Sequence, residues 1–156
     1  MTAKIDSKAP DFKLQNTEGE DVQLANFFGS KNIVLLFFPL AFSSVCTKEL
    51  CTIRDNMKIY DSMNAEVVGI SVDSFFTLKE FKKTQNFNFT LLSDFNKKVS
   101  SKYGVLYQDF YGMKGVSKRA SFIIDKEGVI RYREVLEEAG ELPDFKTLQT
   151  TLSDLD

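Results

Sequence analysis

A chain of 156 residues is a usual length for one domain, and a hydrophobic fraction of 43% can supply a core, which argues against disorder. The formal net charge of −2, with no long run of either sign, argues against a dedicated nucleic-acid or membrane-surface binder. Two cysteines and no histidine rule out Ser-His-Asp and Cys-His nucleophile systems, and leave too few ligands for a usual zinc site within the chain.

Met1 to Pro10 is polar and lacks the apolar centre of a signal peptide, so a cytoplasmic protein is expected. Phe12 and Leu14, then Val22 and Leu24, alternate about Asn16-Thr17-Glu18-Gly19, which predicts an N-terminal β-hairpin. Ile33 to Phe38 is a continuous apolar run, the pattern of a central strand buried on both faces; even extended to Phe42 it is too short to cross a bilayer. Pro39 ends it, and Ser43 and Ser44 offer N-caps for a helix running to about Asn64. Val67 to Val72 reads as a second buried strand, followed by a helix from about Phe75 to Thr84 with Phe75, Leu78 and Phe81 at helical spacing. A short strand over Phe89–Leu92 and a short helix over Asn96–Tyr103, stopped by Gly104, come next. Arg119–Ile124 and Val129–Val135 flank the turn Asp125-Lys-Glu-Gly128, and Phe145–Leu155 is the last helix. With no linker and no repeat, residues 1–156 are expected to form a single α/β domain with a mixed central sheet.

The chemistry concentrates between Phe37 and Cys51. Cys46 falls in the first turn of the helix after the first central strand, where unpaired backbone N–H groups and the helix dipole favour a thiolate. Ligands in open α/β sheets bind at the carboxyl ends of the strands, which makes Cys46 a candidate nucleophile by position. Cys46, Leu50, Ile53, Met57 and Tyr60 form a mostly apolar stripe; Thr47, Cys51, Arg54, Lys58 and Ser62 form a polar one. Five residues of helix set Cys51 roughly 140° around from Cys46 and about 7.5 Å along the axis. A disulfide between them therefore needs the helix start to unwind. Equally, Cys46 reads as a packed core thiol and Cys51 as an incidental surface cysteine. The neighbours have ordinary readings too. Pro39 is a strand stop, Ser43 an N-cap, Glu49 and Arg54 an exposed helical ion pair, and Arg119 beside Lys118 a solvated strand start.

Pro39-x-x-x-Ser43-x-x-Cys46 resembles the Pro-x-x-x-Thr/Ser-x-x-Cys signature of peroxiredoxins, and Arg119-Ala-Ser-Phe-Ile-Ile-Asp125 resembles the strand carrying their active-site arginine. Ala9-Pro-x-Phe12-x-Leu14, Glu49 and Tyr103-Gly-Val105 are similar to the same family, so the likeness runs over nearly the whole chain. The thiol pair is similar to the bacterioferritin-comigratory type, and Ala41-Phe-Ser-Ser-Val-Cys46 to the alkyl hydroperoxide reductase E type.

The resemblance implies a thioredoxin-like three-layer sandwich and a peroxidase acting on hydrogen peroxide and organic hydroperoxides without a cofactor or metal. It further implies that Cys46 attacks the peroxide and becomes a sulfenic acid, which Cys51 resolves as an intramolecular disulfide. In that scheme Arg119 keeps Cys46 ionised and holds the peroxide, Ser43 contacts the peroxide, Pro39 shields the thiolate from water, and Glu49 orients the arginine. Serine at position 43, where the family usually has threonine, keeps the hydroxyl and loses the methyl that restricts its rotamer. Phe38 and Phe42 are expected in the core and along the pocket. The implied partners are a hydroperoxide and thioredoxin or a similar dithiol reductant, with no nucleic acid or membrane, the chain being a monomer or homodimer.

Two other functions use the same residues. A thiol–disulfide oxidoreductase of this fold carries Cys-x-x-Cys and a cis-proline before the facing strand; here four residues separate the cysteines, and no proline precedes Ser121-Phe-Ile-Ile. A peroxide sensor passing oxidation to a partner protein begins with the same Cys46 chemistry, and turnover with a reducing partner distinguishes the enzyme.

Overall fold

The computed structural model describes residues 3–155; Met1 and Thr2 of the polar opening stretch, and Asp156, lie outside the described residues. Seven strands form one mixed sheet: β1 (Lys13–Asn16), β2 (Asp21–Gln23), β3 (Asn32–Phe37), β4 (Ala65–Ser71), β5 (Thr90–Ser93), β8 (Arg119–Ile124) and β9 (Ile130–Leu136). Their spatial order is β2-β1-β5-β4-β3-β8-β9. The centre, β3-β4-β5, is parallel, while β8 pairs antiparallel with β3 and β1 antiparallel with β5. Two strands, β6 (Leu106–Tyr107) and β7 (Val116–Ser117), make a small separate ladder that sequence periodicity does not reveal. Two-residue strands are too short to show a period.

Every residue of β3 is buried, as the apolar run requires of a strand covered on both faces. Val34, Leu36 and Phe38 pack into one core, with Cys46, Leu50, Ile53, Leu78, Phe81, Leu148 and Leu152 of the helices on that side. Ile33, Leu35 and Phe37 pack into the other, with Phe12, Leu24, Val99 and Tyr103. Helices thus cover the sheet on both sides. Those of the first layer are α1 (Ser44–Asp55), α2 (Met57–Ser62), α3 (Phe75–Gln85) and α5 (Phe145–Leu155); α4 (Lys98–Lys102) lies in the other. None of the described helices is long and apolar enough to cross a membrane.

The single helix expected from Ser43 to Asn64 is two helices. Asn56 is the reason: its side-chain Nδ2 donates to the carbonyl of Thr52 at 2.8 Å, the oxygen an unbroken helix would offer to its own amide. That amide bonds Ile53 instead, at 3.0 Å, and φ of Asn56 moves to −114°. The apolar stripe survives the break, since Met57 and Tyr60 are buried along with Cys46, Leu50 and Ile53. Each such side chain removed from water contributes about 2 kcal/mol, enough to hold a helix interrupted by one residue against the sheet.

Candidate active site

Three elements deliver the site. β3 ends at Phe37, the loop from Phe38 to Ser43 turns at Phe42 (φ 67°), and α1 begins at Ser44, so Cys46 is the third residue of its helix. The loop is tied to the carboxyl end of β4: Asp73 Oδ2 accepts from the amide of Ala41 at 2.8 Å and from the hydroxyl of Ser71 at 2.6 Å. β8 runs antiparallel to β3, which brings Arg119, the first residue of β8, next to the carboxyl end of β3. Arg119, Ser121 and Ile123 share the face that looks at α1, because side chains alternate along a strand.

The Arg119 guanidinium joins the parts. Its Nη1 lies 3.3 Å from Cys46 Sγ and 2.7 Å from Glu49 Oε1. Its Nε and Nη2 donate to the carbonyl of Ala139, at 3.2 and 2.8 Å, in the loop between β9 and α5. Arginine suits this position because its planar fork presents donors in fixed directions that lysine lacks. Cys46, Glu49 and Arg119 are all buried. Glu49 sits one helical turn after Cys46 on the same side of α1, which lets both reach one guanidinium.

Burial of Glu49 pushes its carboxyl up to about 7, against the pull of the Arg119 charge and hydrogen bond. Glu134 on β9 adds to the rise, and Glu49 Oε2 has no hydrogen-bond partner among the described residues. Arg119 stays firmly cationic: burial disfavours its charge, but Glu49 and Cys46 outweigh that. A carboxyl raised from 4.5 to about 7 binds its proton more tightly folded than unfolded, so it contributes stability below pH 4.5 that is lost as pH rises to about 7. The contribution is at most about 3 kcal/mol. Urea unfolding of Glu49→Gln is expected to show a flatter stability profile between pH 5 and 8 than the parent. An unchanged slope would mean that Glu49 does not titrate there.

A cleft of about 180 Å³ opens beside the Arg119 guanidinium, lined by Pro39, Ser43, Ser44, Val45, Phe110, Tyr111, Arg119, Ala139 and Gly140; Cys46, fully buried, does not itself line it. Pro39 and Ser43 line this cleft together with Arg119, and Pro39 is buried. Ser43 holds the N-cap position without capping: its hydroxyl donates to the carbonyl of Leu40 at 2.8 Å, and no side chain among the described residues caps α1. Neither Phe38 nor Phe42 lines the cleft; both rings pack on Phe81, Phe38 buried and Phe42 half exposed. The apolar wall is instead Phe110 and Tyr111, on a two-residue hairpin turn whose central residues Tyr111 and Gly112 have φ of 53° and 84°. The Tyr-Gly pair after Phe110 is the sequence signal that could have found this turn. Ala139 contributes only a main-chain carbonyl, which leaves no signal in sequence.

The ordinary readings of two residues fall away. Glu49 pairs with Arg119 inside the protein and not with Arg54 on the surface, and Arg119 is buried and not a solvated strand start. Cys51 is not a surface thiol on a purely polar face. It is half-buried, packs against the core below α1, and points its Sγ at Gln85 Oε1, 3.5 Å away at the end of α3. Both thiols are free.

A family model described as AhpC/TSA family matches residues 5–133. The chain belongs to that family, the family of the peroxiredoxins. Alkyl hydroperoxide reductase E of Mycobacterium tuberculosis is 35% identical over 153 residues, covering 97% of each chain. The chloroplastic 2-Cys peroxiredoxin BAS1 of spinach is 35% identical over 141 residues, 84% of this chain, which spans only 52% of that longer protein. Among solved structures, peroxidoxin BcpB of M. tuberculosis superposes with a TM-score of 0.89 at 28% identity, over 99% of both chains. The thioredoxin-like peroxiredoxin fold expected from the motifs is thereby established.

Proposed function

We propose that this chain is a thiol-dependent peroxidase that reduces hydroperoxides through Cys46, with Cys51 resolving the oxidised thiol. The observation that carries the reading is the shared Nη1 of Arg119, which lines the cleft and lies 3.3 Å from Cys46 Sγ at the start of α1. A guanidinium there stabilises a thiolate without taking its proton, and its fixed N–H groups meet the charge that builds on the peroxide oxygens. The Cys46 thiolate attacks the distal oxygen: the S–O bond forms, the O–O bond breaks, and the alkoxide or hydroxide leaves to be protonated as alcohol or water. Ser43 has its own hydrogen on Leu40, so towards the peroxide its oxygen acts as acceptor and orients the substrate O–H. Pro39 and Val45 keep water from the thiolate side of the cleft. Glu49 turns the guanidinium towards Cys46.

Resolution follows from Cys51. Its thiolate attacks the sulfenic sulfur, the S–S bond forms, and hydroxide leaves to be protonated as water. Helical phase keeps the two sulfurs apart while α1 is intact, so the first turns of α1 must open. Opening must unpack Cys46 and break its contact with Arg119, but among the described residues no side chain caps α1, and the terminal turn holds few of its own hydrogen bonds. A thioredoxin-type dithiol then restores both thiols.

Mass spectrometry of peroxide-treated protein tests the reading, and an intramolecular 46–51 linkage is the expected product. Cys51→Ser is expected to retain the first peroxide turnover, leaving Cys46 as a sulfenic acid prone to further oxidation. Absence of the linkage, with normal cycling of Cys51→Ser on thioredoxin, would make Cys46 a lone peroxidatic thiol regenerated by an external one.

A further inference from the structure

Cys51 lies in a second polar cluster, outside the peroxide cleft, where α1 meets the end of α3. Cys51 Sγ donates to Gln85 Oε1 at 3.5 Å. Arg54, three residues on and so on the same side of α1, donates from Nη1 to the main-chain carbonyl of Gln85 at 2.6 Å. That carbonyl is in the last turn of α3, where a cation meets the negative end of the helix dipole. Asn88 Nδ2 reaches the carbonyl of Arg54 at 3.4 Å, adding a further link between the segment after α3 and α1. The Arg54 charge is held chiefly by Asp55, bonded to its Nε at 2.9 Å.

The two ends of α1 are therefore held differently. The Cys46 end has an uncapped first turn, whereas the Cys51–Arg54 end is bolted to α3 by bonds that the opening of the first turn leaves intact. We propose that Arg54 and Gln85 are positioning residues for resolution: Gln85 holds Cys51 in place as the stationary thiol, and Arg54 fastens that stretch of α1 to the end of α3, while Cys46 travels to it. Gln85 aligns the thiol and takes no proton; the proton that Cys51 releases balances the hydroxide leaving the sulfenic acid, so the step yields one disulfide and one water.

This inference rests on Cys51 being the resolving thiol, and step-resolved kinetics separate the two claims. In stopped-flow experiments with one equivalent of hydrogen peroxide, Cys46 oxidation is read as the first phase and disulfide formation as the second. Arg54→Met is expected to leave the first phase within about twofold and slow the second about fivefold or more, the effect of losing one charge-assisted hydrogen bond that anchors this stretch of α1. Sulfinic Cys46 should rise correspondingly under excess peroxide. Arg54→Lys, which keeps the charge, is expected to recover most of the second-phase rate, a rescue that loss of packing alone would not give. Gln85→Leu, which leaves the main-chain carbonyl for Arg54, is expected to slow the second phase without touching the first. A second phase unchanged in both Arg54→Met and Gln85→Leu overturns the positioning role while leaving Cys51 as resolving thiol. A parent protein that forms no 46–51 disulfide overturns both claims.

Discussion

Cys46→Ser is expected to abolish peroxide reduction while the domain stays folded. A serine hydroxyl stays protonated at neutral pH and is a poor nucleophile towards peroxide oxygen, so the loss should reach the detection limit. Folding is expected to survive because the smaller side chain sits at an already polar junction. Arg119 Nη1 can donate to the serine oxygen, as it now approaches the sulfur, and the Glu49–Arg119 and Arg119–Ala139 bonds are untouched. Circular dichroism and a urea titration establish folding, and peroxide consumption with thioredoxin measures activity. Substantial turnover by a folded Cys46→Ser protein would sink the assignment of the nucleophile.

Arg119→Met is the second large effect. One substitution removes the cation beside the thiol and the donors aimed at the peroxide, so the first oxidation step is expected to slow roughly 10²–10³-fold. It also has a structural cost. Glu49 loses its cation in full burial, and the Ala139 carbonyl loses two donors, a loss on the order of 3–5 kcal/mol if Glu49 were forced to stay ionised. A carboxyl already pushed up to about 7 escapes much of that penalty by taking a proton. Arg119→Met should accordingly be more stable at pH 6 than at pH 8. Stopped-flow oxidation of the folded variant at pH 6 then separates chemistry from stability. Arg119→Lys keeps a charge without the fork and should recover only part of the rate. An unaltered oxidation rate in folded Arg119→Met would make Arg119 a structural residue.

Most elements were legible because their periodicities are strong. The all-apolar run before Pro39 forms β3, the turn residues Asn16–Gly19 join β1 to β2, and the spacing of Phe75, Leu78 and Phe81 marks α3. The break at Asn56 was not legible, because the stripe from Cys46 to Tyr60 continues across it and only a side-chain bond to the Thr52 carbonyl reveals it. The capping role expected of Ser43 failed for a similar reason: a hydroxyl has several local acceptors, and Leu40 is the one it uses.

The sequence by itself determined which atoms can do chemistry here. A chain with two thiols and no imidazole has one obvious place for a nucleophile, the first turn of the helix after a fully apolar strand, and a motif about Cys46 that marks its family. Only the tertiary structure decided which groups meet. Arg119 is 73 residues from Cys46 along the chain and reaches it because β8 lies antiparallel beside β3. The Tyr111-Gly112 pair marks a turn without saying that it lies over the cleft, and Ala139 takes part through a carbonyl that no sequence pattern distinguishes. Cys51 looked like a surface thiol because helical phase describes one helix in isolation; its contact with Gln85 depends on where α3 ends against α1. Periodicity reports the direction of a side chain from its own backbone, whereas the identity of what it touches is set by the packing of distant segments.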